Sequence, residues 1–143
     1  MKGVSQLVSH SSLLIISIIA MGMIVSGVSE YLFSTETTLT RLELNNVANI
    51  VKSNLIKIYS VANSSSPYIS GTFHLPVVEK VGSNRVLIEA NSDNFTLSVN
   101  LRNEKIEITR SYNIDANITG RVYLPASFEL EKIDQNITIR LVE

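Results

Sequence analysis

Cysteine and tryptophan are both absent from the 143 residues. Without cysteine there is no disulfide framework, no thiolate zinc site and no cysteine nucleophile. Histidine occurs only as His10 and His74. Neither has a partner nearby in the sequence, and a metal site needs several converging ligands. An excess of basic charge is missing as well. Lys and Arg total 12 against 13 Asp and Glu, with no cluster of the kind that binds nucleic acid and no polybasic tract for acidic lipids. The acidic residues Glu89, Asp93, Glu104, Glu107, Glu129, Glu131 and Asp134 are scattered. No G-x-S-x-G, P-loop or G-x-G-x-x-G stretch occurs. These absences argue against an enzyme, a metal or bound cofactor, and direct nucleic-acid binding.

Charge is also absent from a long stretch at one end. Nothing from Val4 to Ser29 is Asp, Glu, Lys or Arg. As an α-helix, 26 residues span ~39 Å, enough to cross a hydrocarbon layer of ~30 Å. The greasiest part runs from Leu13 to Val25, interrupted only by Ser17, Ala20 and Gly22. Ser17 can return its hydroxyl to a backbone carbonyl, so it does not break the span. A cleaved secretory signal has a shorter apolar region and a small-x-small site; Ser26-Gly27-Val28-Ser29 matches such a site weakly. Lys2 before the span, with Glu30 and Glu36 after it, orients the lysine end to the cytoplasm and the remainder outward.

Past the span the pattern changes. Leu44, Val47, Val51, Leu55, Ile58 and Ala62 recur at steps of three and four, one face of a helix. Asn45, Asn46, Asn49, Lys52, Ser53, Lys57 and Ser60 fill the other side. Residues 39–62 therefore read as an amphipathic stalk, in contrast to the membrane or filament-core segment 4–29, in which residues 13–28 are apolar all round. Between them, Ser34-Thr35-Glu36-Thr37-Thr38-Leu39-Thr40 holds four poor helix formers. A bend or loosened turn is expected there, with a plain loop as the alternative. Asn63-Ser64-Ser65-Ser66-Pro67 ends the helix.

The head, residues 63–143, switches from residue 68 onward to a period of two. Phe95, Leu97, Val99 and Leu101 alternate with Thr96, Ser98, Asn100 and Arg102, and Ile106 and Ile108 alternate with charged or polar neighbours. Arg102-Asn103-Glu104 is the size of a hairpin turn. Val86/Ile88, Val122/Leu124, Phe128/Leu130 and Ile137/Ile139/Leu141 read the same way. The expected class is α+β: a long N-terminal apolar helix and an all-β head of about seven strands. Either two sheets packed as in an immunoglobulin-like sandwich or one sheet packed on the stalk would bury such faces. Gly71-Thr72-Phe73-His74-Leu75-Pro76 is echoed by Gly120-Arg121-Val122-Tyr123-Leu124-Pro125, suggesting two similar β units.

Lys2-Gly3-Val4-Ser5, a mixed stretch and then a long apolar helix together resemble archaeal type IV pilins. That resemblance implies a leader of residues 1–3, cut between Gly3 and Val4 by a prepilin peptidase. The helix would then be a membrane anchor before assembly and a filament core afterwards, among copies of itself or related pilins. Val8 stands where bacterial type IV pilins carry a glutamate, which favours the archaeal branch. The implied role is a structural subunit of a cell-surface pilus, used in adhesion or cell–cell aggregation. Two alternatives share the architecture. One is an anchored accessory protein similar to archaellum stator components, binding the S-layer. The other is a tethered module recognising surface glycans or proteins through Tyr68, Tyr112 or Tyr123.

Four N-x-[ST] sequons begin at Asn63, Asn94, Asn117 and Asn136. Composition alone predicts about 2.5, so their number says little. All four fall in the part expected to face outward, where N-linked glycans would cover exposed backbone and sheet edges.

Overall fold

The computed structural model describes residues 2–64, 67–76, 80–102 and 104–143, with 2–11 described by backbone alone. The order is α1 (Lys2–Ser64), β1 (Tyr68–His74), β2 (Lys80–Val81), β3 (Asn84–Arg85), β4 (Leu87–Ala90), β5 (Asn94–Leu101), β6 (Glu104–Ser111), β7 (Asn117–Tyr123), β8 (Ser127–Ile133) and β9 (Asn136–Val142). The α+β class is as expected. The chain divides into two compact units, residues 1–38 and 39–143.

The first unit is helix. The loop held as the alternative for the threonine-rich window is not found: α1 runs through it as α-helix. Thr35, Thr37 and Thr38 donate their hydroxyls to the carbonyls of Tyr31, Phe33 and Ser34, each four residues earlier, at 2.9 Å. Three of the side chains that lower intrinsic propensity thus bond to the helix's own backbone and do not demand a loop.

The second unit joins the stalk to the strands. Leu44, Val47, Val51, Leu55, Ile58 and Ala62 are buried, as their spacing predicts, and Ala48 joins them. Four strands bury most of the apolar side chains of the β-rich unit: Phe95, Leu97, Val99 and Leu101 from β5, Ile118 and Val122 from β7, Phe128 and Leu130 from β8, Ile137 and Ile139 from β9. Burying one such side chain contributes about 1.5–3 kcal/mol.

Seven strands form one hydrogen-bonded order, β1-β8-β9-β7-β4-β5-β6, and β2 and β3 make a separate small hairpin. Among the described residues all strand pairings are antiparallel except β7 with β9. Strand β7 changes partner midway. Asn117–Thr119 pair with β9, and Gly120–Tyr123 pair with β4. The layout is therefore two antiparallel trios, β1-β8-β9 and β4-β5-β6, linked through β7. The expected β5–β6 hairpin is present, with Leu101 opposite Glu104 and Arg102 at φ 54°; Asn103 lies outside the described residues.

The sequence echo has a counterpart in the pairing. In the first copy Leu75 N–H donates to Ala126 O at 3.1 Å, and in the second Leu124 N–H donates to Val86 O at 2.8 Å. Phe73 faces Phe128 while Val122 faces Ile88. Each echo strand thus pairs with the hairpin that follows the other copy, an exchange of first strands between two similar units.

At the end of α1, Ser64 Oγ donates to Ser60 O at 2.9 Å. The buried Lys132 sends Nζ to Ala62 O at 2.7 Å. A cation on the last carbonyls complements both the unmet acceptors and the negative end of the helix dipole. Lys132→Met is expected to cost about 2 kcal/mol, in the range of a charged hydrogen bond. It should also speed amide exchange in the last turn of α1. A variant with unaltered exchange and an unaltered urea midpoint would show that this cap contributes nothing.

Candidate functional site

The most unusual surface is the apolar segment of α1. Leu13, Leu14, Ile15, Ile16, Ile18, Ile19, Met21, Met23, Ile24, Val25 and Val28 are all more than half exposed. At 100° per residue these positions reach every side of the helix. Leaving eleven such side chains in water forgoes on the order of 20 kcal/mol of burial. That exceeds the net stability of an ordinary domain, about 5–15 kcal/mol. An apolar surrounding would recover that burial. Ser17 does not weaken it, since its hydroxyl bonds Leu13 O at 2.8 Å. Among the described residues, one helix is long and apolar enough to cross a membrane.

Along the stalk, the side turned from the core keeps Leu42, Ile56 and Val61 exposed between Asn46, Asn49, Ser53 and Ser60. A groove also runs between the stalk and the edge strand β1, lined by Ile58, Val61, Phe73, Leu75 and Phe128.

The expected cleavage site, Gly3 and Val4, lies outside the residues whose side chains are described, as does His10. His74 is exposed at the end of β1, with Nδ1 2.7 Å from Ser127 Oγ. Among the described residues no three His, Asp or Glu side chains group as metal ligands.

The three head tyrosines do not share a surface. Tyr68 is exposed at the start of β1. Tyr123 lies at the opposite end of the strands, with Arg85 5.0 Å above its ring. Tyr112 is buried, its ring parallel to Phe95 with centroids 6.1 Å apart. Its hydroxyl donates to Asn91 O and, at 3.1 Å, to Asn94 O. Burial, with a smaller contribution from Asp93, pushes its pKa up to about 12, so the phenol stays protonated and holds the β4–β5 turn closed. Parity marks it in the sequence, because Tyr112 follows Ile106, Ile108 and Arg110 at steps of two.

The four sequon asparagines are all exposed. Asn63 sits in the last turn of α1, and its Ser65 lies outside the described residues. Asn94, Asn117 and Asn136 are the first residues of β5, β7 and β9. Asn117 is in register with Thr138, so the structure brings the sequons of β7 and β9 together. Asp115 and Gln135 share a polar depression with both asparagines. Set against known proteins, the chain matches no protein-family model, no curated protein and no solved structure.

Proposed function

We propose that this chain is a structural subunit of an archaeal type IV pilus-like surface filament, held in the membrane by α1 before assembly and bundled through α1 afterwards. The observation that carries the reading is the apolar segment exposed around its whole circumference. Such a helix suits lipid in one state and copies of itself in the other. The glycines of the segment add support. A Cβ at Gly22 or Gly27 would meet nothing within 4 Å. A helical glycine costs about 1 kcal/mol relative to alanine, and this chain's own packing does not require one at either position. Small residues allow helices of separate chains to approach closely. The β-rich unit would then tile the filament surface and make the contacts of adhesion or aggregation.

The test is the N-terminus of the protein in material sheared from cells, read by mass spectrometry. A filament subunit begins at Val4 in the sheared fraction. A protein that begins at Met1 and stays with the membrane is instead an anchored accessory component, and its partner is then sought in the S-layer. Gly3→Leu is expected to retain the leader and abolish filaments. Normal filaments from that variant would remove the leader from the proposal.

A further inference from the structure

Two strands close the ends of the seven-strand order, and they differ in charge. Strand β6 carries Glu104, Lys105, Glu107 and Arg110 among its eight residues, the usual guard of a free sheet edge. Strand β1, Tyr-Ile-Ser-Gly-Thr-Phe-His, carries no Asp, Glu, Lys or Arg. Among the described residues it pairs with β8 alone. Leu75 N–H bonds Ala126 O one step past the last pair of that register. Backbone groups alternate in direction along an antiparallel strand. Gly71 and Phe73 therefore bond β8 as Leu75 does, and the N–H and C=O groups of Ser70, Thr72 and His74 turn to the open edge.

The inward side of β1 is incompletely covered. Phe128 and Leu130 of β8 are 1% exposed, yet Gly71 and Phe73 opposite them, and Ile69, are only half-buried. The groove between β1 and the stalk lies along this edge, lined by Ile58, Phe73, Leu75 and Phe128. It brings residues 72–75 beside the stalk at 54–61. The start of β1 lies near the end of α1, because Lys132, which faces Ile69, reaches Ala62 O. Strand β1 thus runs back along the stalk.

We propose that β1 is a self-docking edge that pairs antiparallel with β1 of a second copy, extending the sheet across two molecules; the proposal rests on the surface location argued above. An uncharged strand fits an uncharged strand, and a twofold contact needs a segment that is its own complement. Centred on Thr72, the pair sets Thr72 against Thr72 and Ser70 against His74, which bonds every open N–H and C=O of these three residues. It also sets each Phe73 against the Gly71 of the other copy. The Phe73 ring of the same chain already lies 3.7 Å from the Cβ position of Gly71, so the two rings meet over two glycines. The two grooves join, and the half-buried Ile69 and Phe73 of both copies are covered. The twofold axis between antiparallel strands is perpendicular to them, so the two stalks point in opposite directions. Subunits of one helical filament share one direction, because their contacts are head-to-tail. The β1 pair therefore joins facing filaments, and it is the contact of aggregation.

The chain holds no cysteine, so one introduced thiol reports contact between copies. In the pair, the two Thr72 Cα atoms stand ~5.5 Å apart, within disulfide reach. The two Ser70 residues are four positions out of step, ~13 Å apart. Purified full chain in detergent, under mild oxidation, is expected to form a disulfide dimer as Thr72→Cys and to stay monomeric as Ser70→Cys or, on β6, Thr109→Cys. No dimer from Thr72→Cys, or equal yields from all three, overturns the proposal. On cells, Thr72→Lys places like charges opposite each other at an exposed position and should lower aggregation about fivefold. Thr72→Glu should do the same, and a mixture of the two cell types should aggregate again. Loss in both variants with no recovery in the mixture means that β1 takes a strand of another protein, which overturns the second copy as its partner. Shearing the same cells tests the filament separately. Sheared filaments without the Thr72→Cys dimer remove the docking edge and leave the filament. The dimer without sheared filaments supports the edge and removes the filament.

Discussion

Gly120→Ala is expected to destabilise the β-rich unit by about 3–5 kcal/mol. Gly120 has φ +135°, a conformation that L side chains rarely adopt, and a Cβ there would lie 2.7 Å from Leu141 Cβ and 2.9 Å from Leu141 N. The obstruction is partly backbone, so no rotamer change relieves it. Leu141 sits in β9, paired with Phe128 of β8, so moving it disturbs two strands. Gly120 is also the residue at which β7 passes from β9 to β4. A side chain would force apart the joint between the two trios. Backbone strain contributes ~1–3 kcal/mol and overpacking a similar amount, together a large part of ~5–15 kcal/mol. Gly82 is the control. It too has positive φ, at 60°, but open space around its Cβ position, so Gly82→Ala should cost only about 1–2 kcal/mol. Urea unfolding of the full chain in detergent, followed by amide exchange of β7 and β9, measures both. Equal midpoints for the two variants would mean that Leu141 yields and the joint is not rigid.

The parts of this fold that were legible in the sequence are those with one repeating environment. The stalk's buried face follows from steps of three and four, and the β5–β6 hairpin follows from alternation around a short turn. What was not legible depends on partners distant in sequence. Propensity penalised the threonines near residue 37 but did not register that their hydroxyls bond the preceding turn. The echo around Gly71 and Gly120 was visible, yet its exchanged pairing was not, because register is decided between strands. Lys132 shares the inward parity of Phe128 and Leu130, and only the position of Ala62 O explains a lysine there. For the candidate site, the apolar segment is plain from composition. The meeting of the Asn117 and Asn136 sequons is not, because it requires the direction and register of β7 against β9.

Ile19→Asp is expected to leave the protein in the membrane and abolish the filament. Ile19 lies mid-segment, is 53% exposed and belongs to the first unit, so the β-rich unit should keep its stability. Insertion of a single helix tolerates one acidic residue near its centre at a cost of ~2.5–3.5 kcal/mol, which the remaining Leu, Ile, Met and Val side chains offset. A bundle of helices does not tolerate it in the same way. Each subunit would bring a carboxylate into a dry core, where an unpaired charge costs several kcal/mol, and the same position recurs in every copy. Cell fractionation and shearing read the two effects separately. The expected result is wild-type abundance in the membrane and no protein in the sheared fraction. Ile19→Leu should match wild type in both. If Ile19→Asp still yields sheared filaments, the apolar segment does not form their core, and α1 serves as an anchor alone. If the variant is lost from the membrane as well, insertion is the step that fails, and a charge nearer the end of the span, at Val28, becomes the informative substitution.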